Sequence, residues 1–190
     1  MAGVAADSVA AEAARAAVAH REAGEMNIKR LFRHLLQPPW LARRAFSPAV
    51  MRRIEDAVKQ SERLHRGELR VAVEAGLDLG PLLRNQHPRA RALEVFARLG
   101  VWDTAGNSGV LLYINWADRN IEIVADRGIS AQVTQDQWEI ICRIMEQAFR
   151  EHRFEAGVLE GIRRITALLT RHFPAGSDNP DELGNRPVLL

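Results

Sequence analysis

Apolar positions recur along this chain in two periods, one helical and one alternating. Ile28, Leu31, Phe32, Leu35 and Leu36 fall at helical spacing, with Lys29, Arg30, Arg33 and His34 between them. The spacing predicts a basic amphipathic helix, ended by Pro38-Pro39. Ser47-Pro48 opens a second helix, a hydroxyl cap followed by proline at the first helical position. Val50, Met51, Ile54, Val58 and Leu64 carry it to about His65, and Gly67 breaks it. Leu69, Val71, Val73 and Ala75 then alternate with Glu68, Arg70 and Glu74, the pattern of a strand with one buried face. Residues 76–87 read as a loop, and Pro88 starts a helix through Ala92, Val95, Phe96 and Leu99 to Gly100.

The next apolar run, residues 110–114, is short and unbroken, which suits a central strand covered on both faces. Residues 115–120 form a hairpin loop, and residues 121–124 return antiparallel. Thr134 and Gln137 make a capping box ahead of a helix bearing Trp138, Ile141, Cys142, Met145 and Phe149. A last helix carries Val158, Ile162, Ile165, Leu169 and Phe173, closed by Pro174 and Gly176. The order strand, helix, strand, hairpin predicts an α/β fold with a mixed sheet and a crossover helix on one face. Residues 1–27 read as an Ala-rich tail, 28–174 as the domain and 175–190 as a C-terminal tail.

Composition narrows the class only a little. The chain has 190 residues, 47% apolar and 26% charged, enough for one domain with a sizeable core. Its single cysteine, Cys142, excludes an intramolecular disulfide and a multi-cysteine zinc site. No apolar stretch approaches the roughly 20 residues needed to span a bilayer, and the apolar core of a secretory signal is absent. The expectation is a cytoplasmic protein.

Charge is uneven. The net +2 resolves into a basic stretch over residues 27–66, ten Lys/Arg against three Asp/Glu, and an acidic remainder. Residues 28–44 are therefore the place where an anionic membrane surface would be met. No aromatic-interleaved or glycine-rich nucleic-acid motif accompanies them. The histidines at 65, 152 and 172 fall near helix C-termini, where a protonated ring favours the dipole.

The polar residues with chemical potential surround the hairpin. Asp103 and Asn107 precede its first strand, and Asp126-Arg127-Gly128 follows its second. Pairing of the two strands would bring these loops to one end of the sheet, with Asp118 at the other. Two carboxylates and an amide on glycine-rich loops suit a hard cation, Ca²⁺ or Mg²⁺, making Asp103, Asn107 and Asp126 the candidate metal ligands. Arg127 is the candidate anion contact. The same residues also serve as ordinary turn formers. Nothing points to an organic cofactor, and no catalytic nucleophile stands out.

From residue 95 to residue 129 the sequence resembles the TPM domain family. The resemblance rests on Val95-Phe96-Ala97-Arg98-Leu99-Gly100, Asn107-Ser108-Gly109-Val110-Leu111-Leu112-Tyr113-Ile114, Asp118-Arg119 and Ile121-Glu122-Ile123-Val124-Ala125-Asp126-Arg127-Gly128-Ile129. Phe154-Glu155-Ala156-Gly157-Val158 and His172-Phe173-Pro174 extend it toward a soluble bacterial branch. The resemblance implies a three-layer α/β/α sandwich around a small mixed β-sheet, a divalent-cation site in loops at the sheet end, and a phosphatase label. Where relatives commonly carry Gly-x-Gly after the second hairpin strand, this chain has Asp126 at the first position. The resulting expectation is an accessory module that binds a protein partner and carries a cation site. Its alternative is a metal-assisted acid phosphatase-type phosphomonoester hydrolase.

Overall fold

A computed structural model describes residues 39–77, 79–83, 85–176 and 179–190. The Ala-rich tail and the predicted helix around Leu31 lie outside the described residues. The chain enters through α1 (Pro39–Ala45) and α2 (Pro48–Glu62). Ser47 caps α2 by accepting from Val50 N at 3.4 Å. Strand β1 (Glu68–Glu74), the short α3 (Leu79–Leu83) and α4 (Pro88–Arg98) follow. Then come β2 (Gly109–Asn115), β3 (Asn120–Ala125), the single turn α5 (Arg127–Ser130), α6 (Gln135–Arg150), α7 (Phe154–His172) and β4 (Val188–Leu189).

The sheet order is β3-β2-β1-β4. β1 and β2 are parallel neighbours joined across α4, and β2 and β3 form the antiparallel hairpin. The mixed sheet expected from the element order is therefore present, with helices on both faces. Odd residues of β1 and even residues of β2 face α2, α6 and α7, where Ile54, Met145, Phe149 and Ile165 are buried. Ala72, Leu111, Tyr113 and Val124 face the other way, onto Ala92 and Val95 of α4. Alternation across the pleat produces this split.

Three details depart from the sequence reading. β1 is covered on both faces: its polar residues Glu68 and Glu74 are buried because distant segments partner them. The stretch read as a loop, 76–87, contains α3. The C-terminal residues lie against the domain, where Val188 and Leu189 pair with Ala72 and Val73 in parallel.

The outer edge of β3 is closed by side chains. Glu146 Oε1 accepts from Ile121 N and from the Asn120 amide, each at 3.3 Å, and Arg89 donates to Ile123 O. Charged side chains on an exposed edge prevent pairing with another strand. Cys142 packs against the core beside this edge, and burial together with Glu122 and Glu146 pushes its thiol up to about 12. The thiol is therefore held in its protonated form at neutral pH. No helix among the described residues is long and apolar enough to cross a membrane.

Candidate functional site

The register puts the two glycine-containing loops at one end of the sheet. Gly109 lies opposite Glu68, and Val110 opposite Ala125. Asp126 N donates to Gly109 O at 2.8 Å, so the Asp126 backbone extends the hairpin ladder. Its side chain then caps α5, with Oδ1 accepting from Arg127 N at 2.7 Å. Asp126 Oδ2 is buried and has no hydrogen-bond partner.

Gly128 lets the facing loop come close. A Cβ there would lie 2.6 Å from the carbonyl oxygens of both Gly106 and Asn107. Its N–H donates to Asn107 O at 3.1 Å. Asn107 adopts φ of 48°, a left-handed conformation that asparagine tolerates better than most residues. Its amide oxygen accepts from Arg127 Nε at 2.9 Å. Thr104 Oγ1 accepts from Ser108 N at 2.8 Å and pins the loop.

The structure thus brings Asn107, Asp126 and Arg127 together. Asp103 sits in the same loop with its side chain exposed, and it makes no hydrogen bond to the other three. Its backbone N–H closes the preceding turn on Gly100 O at 2.9 Å. Arg127 spends its Nε on Asn107 and remains exposed, so the rest of its guanidinium faces solvent.

A second acidic group lies at this end of the sheet. Glu62, Glu68 and Asp181 bring carboxylate oxygens within 4.8 Å of one another. Each holds a piece of backbone or the C-terminal strap, residues 179–190. Glu62 Oε1 accepts from Leu69 N at 2.9 Å, and Glu68 Oε2 accepts from Leu183 N at 3.1 Å. Asp181 Oδ2 accepts from Asn185 Nδ2 at 2.6 Å. The strap also reaches the candidate loop, where Glu182 Oε2 accepts from Ala105 N at 2.8 Å. Asn179 Nδ2 donates to the carbonyls of Glu62 and His65 at 2.7 and 3.1 Å. Sequence reasoning missed this group because Asp181 comes from a stretch with no helical or alternating pattern.

His65 is fully buried rather than a charged helix end. Nδ1 lies 2.9 Å from Gly67 O, which can only accept, so that nitrogen carries the proton. Nε2 therefore accepts from the Ser61 hydroxyl at 2.7 Å. Burial pulls the ring down to about 4, which leaves it neutral at physiological pH. The Ser61–His65 pair resembles a nucleophile and base but is closed off beside Thr166 of α7, whose Oγ1 is 2.6 Å from Ser61 Oγ. It ties α2 to the start of β1.

Glu62 and His65 make stability depend on pH in opposite senses. Burial, with Glu68 and Asp181 nearby, pushes Glu62 up to about 8. An unfolded glutamate releases its proton near about 4.3. Between these values the folded chain binds more protons, so stability falls as pH rises. His65 acts the other way between about 4 and its unfolded value near about 6.5. The two offset each other up to about pH 6.5, and above it Glu62 continues, with Glu68 and Glu122, also raised by burial, acting in the same sense. Urea unfolding should show a loss of about 2 kcal/mol between roughly pH 6.5 and 8, and Glu62→Gln should lessen it. Equal slopes in the two proteins would refute the assignment.

The fold and its loop end match a known family. The family model of the TPM domain covers residues 42–168, from α1 to α7. The chain belongs to the TPM domain family. A similar solved structure is the NMR structure of the BA42 protein from the psychrophilic bacterium Bizionia argentinensis sp. nov.. It is 28% identical with a TM-score of 0.67, over 76% of this chain and 94% of that one. A search of the curated proteins finds no match. In this TPM domain the loops of Asn107 and Asp126 both fall within the matched region, whereas the strap lies beyond it.

Proposed function

We propose that this TPM domain is an accessory module that binds a protein partner and holds a divalent cation, Ca²⁺ or Mg²⁺, at its loop end. Asp126 is the anchoring ligand, with Asn107 and Asp103 as further oxygen donors and Arg127 as the contact for an anionic group of the partner. The observation that carries the reading is the buried, unpartnered Oδ2 of Asp126. A carboxylate oxygen left without a partner is costly, and a hard cation is the ligand such an oxygen suits. The Asn107 amide oxygen accepts from Arg127 Nε at 2.9 Å, so a cation takes this oxygen in exchange for that bond and frees the guanidinium for an anionic group. A bound cation would polarise the oxygens of an anionic ligand brought to it.

The experiment is a thermal melt with CaCl₂ or MgCl₂. Binding to the folded state alone stabilises by about 2.7 kcal/mol at a hundred times Kd, so the midpoint should rise. Asp126→Asn keeps the side-chain shape and should lose the rise. A wild-type chain that melts unchanged in both salts contradicts the proposal. The hydrolase alternative gives a different result. Turnover of p-nitrophenyl phosphate would then disappear in both Asp103→Ala and Asp126→Ala, whereas an accessory module leaves any trace activity unaltered by them.

A further inference from the structure

The sheet edge formed by β4 borders a groove of about 920 Å³. Its apolar floor comprises Phe46, Met51, Pro187 and Leu189. Four arginines surround it from four separate elements: Arg43 on α1, Arg52 on α2, Arg70 on β1 and Arg186 on the strap. The one acid in its wall, Glu55, is engaged by Lys59 Nζ at 2.5 Å. The groove therefore presents positive charge with no free negative charge.

The gathering of the arginines around one cavity is the distinctive feature. Several surface arginines are tied to carboxylates, Arg53 to Glu155, Arg91 to Glu74, and Arg163 and Arg164 to Glu160, and among the described residues others such as Arg44, Arg98 and Arg171 stand singly; what sets the groove apart is that four of them line one cavity. Among the described residues, none of the four groove arginines makes an ion pair or a hydrogen bond. Arg70 is half-buried, and burial lowers its pKa against the opposing pull of the Glu62 carboxylate. Glu62 and Glu55 act on Arg70 and Arg186 only from a distance, so a partly desolvated guanidinium such as Arg70 has no carboxylate in direct contact, and an anionic ligand offsets that cost.

The backbone at this edge is also open. Leu190 N donates to Val73 O at 2.8 Å, and Leu190 O accepts from Ala75 N at 3.5 Å. Backbone groups alternate in direction along a strand, so Leu189 turns its N–H and C=O away from β1. The opposite edge is closed by Glu146 and Arg89, whereas among the described residues no side chain hydrogen-bonds the Leu189 backbone.

From these features we infer that the groove receives an extended acidic peptide segment of a partner protein. The segment adds to β4, places an apolar side chain on Phe46 and Met51, and sets carboxylates against the four arginines. Strand addition supplies main-chain hydrogen bonds, and the flanking pockets supply specificity. Arginines on four elements around an apolar floor suit charges spaced along a chain. A single phosphate would call for convergent donors. The inference rests on the reading of the chain as a partner-binding module. It is independent of the cation at Asp126, so failure here leaves the thermal melts in CaCl₂ untouched.

The test uses the full chain and a short fluorescent peptide alternating glutamate with valine, with a lysine-for-glutamate peptide as control. Fluorescence anisotropy should show binding of the acidic peptide only, weakening as salt is raised. Arg52→Glu with Arg186→Glu should reduce affinity by about tenfold or more, since two favourable charge contacts become repulsive. Both positions are exposed, so the variant retains the fold, and an unchanged circular-dichroism melt verifies it. Arg171→Glu, on the exposed end of α7, should bind as the wild type does. No binding by the wild type, or equal affinity in the double variant, overturns the proposal. So does sedimentation with phosphatidylglycerol vesicles that the double variant abolishes while the peptide stays unbound, which would assign the groove to a membrane surface. Faster amide exchange across residues 1–38 in the double variant would show the chain's own N-terminal segment in the groove and overturn it likewise.

Discussion

Gly109→Ala should abolish folding or cost more than about 4 kcal/mol, a size reserved for severe backbone conflict. The reason is steric and local. A Cβ on Gly109 would stand 1.8 Å from the carbonyl oxygen of Val101 and 2.9 Å from its carbonyl carbon. Neither atom can move away cheaply. Val101 is fully buried and its N–H is held by Phe96 O at 3.1 Å. Gly109 is fixed from its own side as well, through register with Glu68 and acceptance from Asp126 N at 2.8 Å. Relief of the clash would break either the start of β2 or the turn after α4, and with it the placement of the candidate loops. Gly106→Ala in the same loop is the internal control. Its Cβ would meet only the Ser108 side chain, nearest at 3.3 Å, so the cost should stay below about 1 kcal/mol. Urea unfolding followed by circular dichroism compares the two. A Gly109→Ala chain as stable as Gly106→Ala would refute the packing described for this loop.

The second large effect is expected at Glu74, where Glu74→Ala should cost about 3–5 kcal/mol. Glu74 is 4% exposed at the C-terminal end of β1, where it meets Arg91 of α4. Arg91 holds it with Nη2 at 2.6 Å from Oε1 and Nε at 3.1 Å from Oε2. Tyr113 donates its hydroxyl to Oε2. Arg91 Nη1 also reaches Glu94 Oε2 at 2.9 Å. Removing the carboxylate leaves Nε and Nη2 of a nearly buried guanidinium and a buried phenol without their acceptor at once, with only Nη1 still held by Glu94, which costs more than the net worth of the intact network. Tyr113→Phe removes one donor and leaves the ion pair, so its cost should be about 1–2 kcal/mol. Burial and the Glu74 charge push the Tyr113 phenol well above its ordinary range. It is the only tyrosine in the chain, so alkaline absorbance titration reads it alone. Ionisation should coincide with unfolding in the wild type. Titration at an ordinary phenol pKa in the folded chain would contradict the buried network.

What the sequence revealed follows from the range of the interactions involved. Ser47-Pro48 and the Thr134–Gln137 box are local signals, and both start helices as expected: Thr134 N donates to Gln137 Oε1 at 2.9 Å. The hairpin was legible from the apolar run of β2 and its return, and the hairpin alone brought the Asn107 and Asp126 loops to one end. The polar side of β1 was not legible as buried. Glu68 and Glu74 find partners in Leu183, Arg91 and Tyr113, which are remote along the chain. His65 was misread for the same reason, since Gly67 O and Ser61 satisfy it inside the core. β4 has two residues, too few to show a period, and only its pairing with Ala72 and Val73 defines it as a strand. Arg43 and Arg52 belong to the basic stretch of residues 27–66, but their meeting with Arg70 and Arg186 carried no signal, because the elements that gather them are separated in sequence.

A cation held by Asp126 at the loop end should be visible in amide NMR of the labelled full chain titrated with CaCl₂ and MgCl₂. The expected shifts centre on Asn107, Arg127 and Gly128 and vanish in Asp126→Ala. Shifts centred on Leu69 and Leu183, whose amides bond Glu62 and Glu68, would place the cation among the other three carboxylates and contradict it, as would a spectrum that neither salt alters.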